Sequence, residues 1–284
     1  MSIFKDLSNF GLKNLENIDV FAEEKEEQKK EKKIIENGPV KLNEADFVFE
    51  KTFRCPVCDR EFKSKFIKTG KVKLLSMDTD LRPKYQDIDS LKYDAVVCPN
   101  CGYAALNRFF NFITAGQKQL IKENISKNFV YNLKEGDIYT YDDAIEQHKL
   151  ALINAIVKKS KVSERAYICL KLAWLCRGKI ESLGNSTENE SIINELKKQE
   201  DEFIKNAYEG FYAAVSKERF PICGMDDGTV TYLLADLARR TKNYDESARF
   251  ISKILVSRDV NERIKNKARE IKELLLEEKV DTSK

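Results

Sequence analysis

The rhythm of apolar and polar positions changes along this chain, and each change marks a different kind of element. In residues 1–22, Ile3, Leu7 and Phe10, then Leu15 and Ile18, recur at the three- and four-residue spacing of a helix face, with Gly11 interrupting. From Glu23 to Lys33 almost every residue is Glu, Lys or Gln. Such a run has nothing to bury, so it reads as a flexible tether or a solvated helix. The period then falls to two. Phe47, Phe49, Lys51 and Phe53 share one face of a strand expected over Ala45–Phe53. Phe62–Ile67 and Val72–Leu75 read as the arms of a hairpin turning at Lys68-Thr69-Gly70-Lys71, and Tyr93–Val97 reads as a further strand. After Gly102-Tyr103-Ala104-Ala105, helical spacing takes over, with Phe109, Phe110 and Phe112 as packing residues.

The helical part repeats itself. Tyr141-Asp142-Asp143-Ala144 is followed by Ala151-Leu152, and the pattern returns 103 residues later as Tyr244-Asp245-Glu246-Ser247 with Ile254-Leu255. That interval is close to three periods of a repeat ~34 residues long. Leu172-Ala173-Trp174-Leu175-Cys176-Arg177 is echoed by Leu234-Ala235-Asp236-Leu237-Ala238-Arg239. The spacing resembles the tetratricopeptide repeat, in which small residues let paired helices approach and each pair is buried only by its neighbours. An Asn- and Ser-rich insertion at Ser182–Ser191 breaks the period, and Asp259 with Glu262 reads as a capping box opening a last helix to Glu278. The fold class expected is α+β multidomain: residues 1–40 a flexible segment and charged tether, 41–115 a small β-rich zinc ribbon, and 116–280 an all-α tetratricopeptide-like array.

Chemistry is concentrated in the strand region. Cys55-Pro56-Val57-Cys58 and Cys98-Pro99-Asn100-Cys101 are a repeated Cys-Pro-x-Cys form. Two such knuckles supply the four soft ligands of a tetrahedral zinc. The long interval between them, residues 59–97, suits a ribbon whose knuckles sit on two hairpins with extra strands between. Proline within each pair, and Gly102 after the second, support the turns. A redox dithiol would be expected once, beside a βαβ pattern, and disulfides belong to secreted chains. Four cysteines close the coordination shell, and the chain's single histidine, His148, lies far away in the helical part. The metal is therefore expected to be a structural Zn²⁺ held by Cys55, Cys58, Cys98 and Cys101. Cys169 and Cys176, seven residues apart on an apolar face, read as core, as does Trp174; His148 reads as a surface or groove residue.

Charge modifies the picture locally. The net charge is only +3, so no global field points to nucleic acid. Yet Arg60, Lys63, Lys65, Lys68, Lys71 and Lys73 cluster around the expected hairpin, with Phe62, Phe66 and Ile67 between them. Such a surface could hold phosphates and stack unpaired bases. Equally, these cations could offset the charge of a four-thiolate site while the phenylalanines form the small domain's core. Asp78, Asp80, Asp87 and Asp89 lack calcium-loop spacing and read as turn and cap residues. No apolar run approaches the ~18 residues of a membrane span.

The stretches Phe10-Gly11-Leu12, Cys55-Pro-Val-Cys-Asp-Arg-Glu-Phe62, Asp78-Thr-Asp-Leu-Arg-Pro83 and Tyr93 through Cys98-Pro-Asn-Cys-Gly-Tyr-Ala-Ala105 resemble the bacterial family grouped as domain of unknown function 2225, frequent in clostridia and their relatives. The resemblance implies a cytoplasmic zinc-ribbon protein with tetratricopeptide-like helices and implies no reaction. The expected function is a non-enzymatic scaffold or adaptor that binds an unidentified protein or peptide, without membrane contact. The alternative is a nucleic-acid-binding regulator using the basic hairpin.

Overall fold

The computed structural model describes residues 43–132, 136–184 and 187–282. The N-terminal apolar segment and charged run lie outside the described residues. Among the described residues a small antiparallel strand region comes first, followed by seven α-helices. The strands form three two-stranded ribbons: β1 (Val48–Arg54) with β2 (Glu61–Ile67), β3 (Leu74–Met77) with β4 (Pro83–Tyr85), and β5 (Ala95–Val97) with β6 (Ala104–Leu106).

The first pairing differs from the hairpin expected at Lys68–Lys71. β2 pairs backward with β1, Val48 opposite Ile67 and Phe53 opposite Phe62, while Thr69–Lys71 is a turn of 3₁₀ helix leading to β3. Pairing β1 with β2 stacks Phe53 on Phe62, with ring centroids 5.9 Å apart. It also brings Phe66 beside Phe49 and Phe53. A Phe62–Ile67/Val72–Leu75 hairpin would leave those rings without partners. The strand expected from Ala45 begins at Val48, after a 3₁₀ turn at Glu44–Phe47.

The helices are α1 (Ala115–Ile121), which runs into a π-helical turn at Lys122–Ser126, α2 (Tyr141–Val157), α3 (Val162–Leu183), α4 (Glu190–Lys217), α5 (Asp227–Arg240), α6 (Tyr244–Val256) and α7 (Glu262–Thr282). Their starts are written locally. Thr114 with Gln117 and Thr140 with Asp143 form reciprocal capping boxes, and Asp226 accepts from the Thr229 amide. For α7 the cap is Asn261, whose side chain accepts from the Ile264 amide, and not Asp259. From α2 onward each helix packs on the next in chain order. Gly210 of α4 permits one close approach, because a Cβ there would lie 2.6 Å from the Cβ of Ala166 on α3. The small residues of the repeated pattern, Ala144 and Ser247, are fully buried, and the Ser247 hydroxyl donates to the Ala235 carbonyl of the neighbouring helix at 2.8 Å.

Strand region and helices share their cores. Phe53, Phe62, Tyr103 and Phe110 pack with Ile121 of α1 and Ile125 of the π turn, while Leu91 and Leu106 join the main helical core with Trp174, Cys169 and Cys176. The described residues from Glu44 onward accordingly form one compact unit. His148 is not on the surface: it is fully buried in α2, its Nδ1 2.7 Å from the Ala144 carbonyl.

Asp78 and Asp80 are more than turn residues. The Asp78–Pro83 loop plugs into the helices through ions. Asp80, fully buried, accepts from Arg177 of α3 at 2.7 and 3.1 Å. Arg177 also reaches Asp78 at 3.0 Å and Glu200 of α4 at 2.8 Å. Thr79 donates to Asp236 of α5 at 2.8 Å, and Tyr232 donates to the Thr79 carbonyl at 2.6 Å. Asp89 does act as a cap, accepting from the Leu91 amide.

Candidate metal centre

Each Cys-x-x-Cys pair is the turn of one ribbon. Cys55–Arg60 joins β1 to β2 and Cys98–Tyr103 joins β5 to β6, with β3 and β4 lying between them in the chain. The two turns repeat one backbone pattern. The Cys55 amide donates to the Arg60 carbonyl and the Cys98 amide to the Tyr103 carbonyl, at 2.9 and 2.8 Å. The Asp59 amide donates to the Cys55 carbonyl and the Gly102 amide to the Cys98 carbonyl, at 2.9 and 3.0 Å. The residue after each second cysteine takes a positive φ, 59° at Asp59 and 71° at Gly102. Aspartate tolerates that conformation better than most residues. At Gly102 a side chain is also excluded by packing, since a Cβ would lie 2.4 Å from the Phe129 ring.

The four sulfurs converge. All lie within 4.8 Å of one another, with Cys55 Sγ 3.6 Å from Cys101 Sγ and Cys58 Sγ 3.6 Å from Cys98 Sγ. Cys55, Cys98 and Cys101 are buried and Cys58 is partly exposed. Four such donors fill a tetrahedral shell. Thiols this close perturb one another. Hydrogen bonds from Cys101 and Cys55 hold Cys98 down at about 2. At Cys55 the bond to Cys101 acts downward, but the Cys98 neighbour and burial outweigh it and push the thiol up to about 12. The hydrogen bonds with Cys55 and Cys98, with burial, push Cys101 upward as well. Four sulfurs packed so tightly can all be thiolates only if a cation shares their charge.

Contacts that the sequence did not reveal fix the second knuckle. Asn154 of α2, fully buried, donates to the Gly102 carbonyl at 3.0 Å, and Ser126 donates to the Cys101 carbonyl at 2.8 Å. Asn154 lies on the buried face of α2 that also carries Ala151 and Ala155.

The six cations differ in their surroundings. Arg60 donates to Asn100 at 3.3 Å, linking the knuckles. Lys63 pairs with Glu50 at 3.0 Å, Lys65 lies 4.4 Å from the centre of the Tyr139 ring, and Lys68 donates to the Asp46 carbonyl. Lys71 and Lys73 are exposed beyond the end of β2. Along β2 the period of two places Lys63 and Lys65 on one face and Phe62 and Phe66 on the other. Phe62 and Phe66 pack in the ribbon's core, so the lysines and the rings do not alternate on a common surface.

Among the described residues, a short antiparallel strand region holding a four-cysteine cluster, followed by seven α-helices, defines the class of protein. The chain belongs to the family described as "Uncharacterized protein conserved in bacteria (DUF2225)", whose model matches residues 48–275. No curated protein and no solved structure matches it. Among the described residues, no helix is long and apolar enough to cross a membrane.

Proposed function

We propose that this protein is a non-enzymatic scaffold whose structural zinc ties a ribbon to a tetratricopeptide-like helical array, and that the array binds a protein partner. The convergence of Cys55, Cys58, Cys98 and Cys101 carries the zinc reading. An all-thiolate set suits Zn²⁺ and leaves no position for a reacting water. The zinc would couple folding of β1, β2, β5 and β6 to the metal, with no chemistry of its own. Successive packing of α2 to α7, with small buried residues at the contacts, supports the array; stacked helices of this kind present extended faces to other chains. The thiols must stay reduced to hold the metal, which suits a cytoplasmic protein. The basic-hairpin reading is the weaker one, because Phe62 and Phe66 face the core, away from Lys63 and Lys65.

The test is affinity purification from the native host with the lysate split and one half treated with nuclease. Protein partners retained through nuclease support the scaffold. Nucleic acid in the eluate, with its proteins lost on nuclease treatment, would overturn it in favour of the lysine surface. Metal analysis of the same protein should return one zinc per chain.

A further inference from the structure

The ribbon that ends in Cys55 and Cys58 has one strand with an open side. Bonds at its two ends fix which way each residue of β1 points its backbone. The Lys68 amide donates to the Phe47 carbonyl and the Cys55 amide to the Arg60 carbonyl, both at 2.9 Å. Alternation along an antiparallel pair then directs the N–H and C=O groups of Phe49, Lys51 and Phe53 at β2, and those of Val48, Glu50, Thr52 and Arg54 outward. Among the described residues no other strand pairs with β1, and no backbone bond outside the ribbon involves those four residues. Phe49, Glu50, Lys51, Thr52 and Arg54 are all exposed. β2, by contrast, has the 3₁₀ turn at Ser90–Tyr93 beside it, and Tyr139 lies against its Ser64 and Lys65.

Outward N–H and C=O groups of an edge strand are a template for another extended chain. The side chains decide which chain fits. A second copy of β1 would meet the first antiparallel, because a contact between identical surfaces is two-fold. Outward groups must face outward groups, so even-numbered residues meet even-numbered residues. Three registers satisfy this and pair five or more residues of β1. One sets Lys51 opposite Lys51 and another sets Glu50 opposite Glu50, and like charges directly opposite repel. The third sets Glu50 opposite Arg54, Lys51 opposite Phe53 and Thr52 opposite Thr52. Within each ribbon Lys65 stands opposite Glu50 and Glu61 opposite Arg54. The third register therefore extends a row of alternating sign across four strands: Lys65 and Glu50 of one copy, then Arg54 and Glu61 of the other. Arg54 is free to take part, since its nearest carboxylate is the exposed Asp59 at 4.0 Å. On the opposite face Lys51, which already sits over Phe53 and Phe66 of its own chain, meets Phe53 of the second copy.

We propose that β1 pairs with β1 of a second copy of this chain in the third register, joining two ribbons into a four-stranded antiparallel sheet. Five residues a side make a small interface, so the association is weak and depends on concentration. This pairing goes beyond the scaffold reading and does not depend on what the helices bind.

The test uses the full, zinc-loaded chain in sedimentation equilibrium, where monomer and dimer should exchange with concentration. Glu50→Arg sets arginine opposite Arg54 at two symmetric places, and Arg54→Glu sets glutamate opposite Glu50 at the same two. Each variant alone should self-associate at least about fivefold more weakly. An equimolar mixture should recover the association, because the introduced arginine then faces the introduced glutamate and native Arg54 faces native Glu50. Both positions are exposed, so circular dichroism and bound zinc should match the unaltered chain. Amide hydrogen exchange reads the backbone. The Glu50, Thr52 and Arg54 amides should gain protection as concentration rises, while the Phe49 and Lys51 amides, already directed at β2, should not change. A chain still monomeric at about 1 mM, a mixture that associates no more tightly than either variant, or a dimer that leaves those three amides unprotected overturns the inference.

Discussion

Asp80 and Arg177 offer the sharpest test of how the strand region is held to the helices. Asp80 is fully buried and its nearest cation is Arg177, with Arg240 next at 3.7 Å. Burial alone would raise the Asp80 pKa, but the Arg177 charge and hydrogen bonds, with Arg240, outweigh it and hold the carboxyl below its ordinary 3.8. Breaking a buried pair from one side costs about 3–5 kcal/mol. The two sides are not equivalent here. Asp80→Asn leaves Arg177 with Asp78 and Glu200 at 3.0 and 2.8 Å, so its cost should fall near the lower end, about 3 kcal/mol. Arg177→Met leaves the Asp80 carboxylate with the Arg82 amide and, for a cation, the more distant Arg240, and should cost nearer 5 kcal/mol on the same scale. The double variant removes the stranded charge, so the two losses should fall short of additive by about 1–3 kcal/mol. Urea unfolding of the zinc-loaded chains, followed by circular dichroism with a constant m-value, measures all three. The sign with pH is fixed as well. A depressed carboxyl stabilises above its unfolded pKa and loses that contribution as pH falls through the folded value. Single losses below about 1 kcal/mol, or strict additivity, would refute the claim that this pair anchors the loop.

Other consequences can be measured alongside. Replacing any one of Cys55, Cys58, Cys98 or Cys101 with Ser should reduce bound zinc, and chelation should unfold the ribbon, since structural zinc supplies of order 10 kcal/mol to small domains; metal analysis and near-ultraviolet dichroism read both. Gly102→Ala forces a positive φ on alanine and drives a Cβ against Phe129, and should cost about 3 kcal/mol in urea unfolding, whereas Gly70→Ala, with open space around it, should stay within about 0.5 kcal/mol. Burial pushes His148 down from 6.5 to about 4, so the unfolded chain takes up the proton first. That stability is complete above pH ~6.5 and falls by roughly 3 kcal/mol as pH drops through 4, and a His148→Gln variant should lack that part of the pH dependence.

What the sequence determined by itself is whatever short stretches of chain dictate. The Cys-Pro-x-Cys turns, the residue of positive φ after the second one and the helical spacing of the C-terminal part all act over a few residues, and all could be read directly. The small buried residues Ala144 and Ser247 were legible for the same reason, because helix spacing assigns a face before any partner is known. Tertiary structure decided which distant segments meet. β2 could have turned at Gly70 toward Val72–Leu75, and it pairs with β1 because that alignment gives Phe53, Phe62 and Phe66 each other to pack against. The buried roles of Asp80 and His148 were hidden because polarity argues for the surface until a fold supplies a reason for burial. For Asp80 that reason is a guanidinium 97 residues away in the chain. For the lysines of β2, the opposite face of the same strand separates them from the rings they were read beside. Such pairings depend on long-range contacts, whose cost and reward are settled only when the whole chain is packed, and no local pattern encodes them.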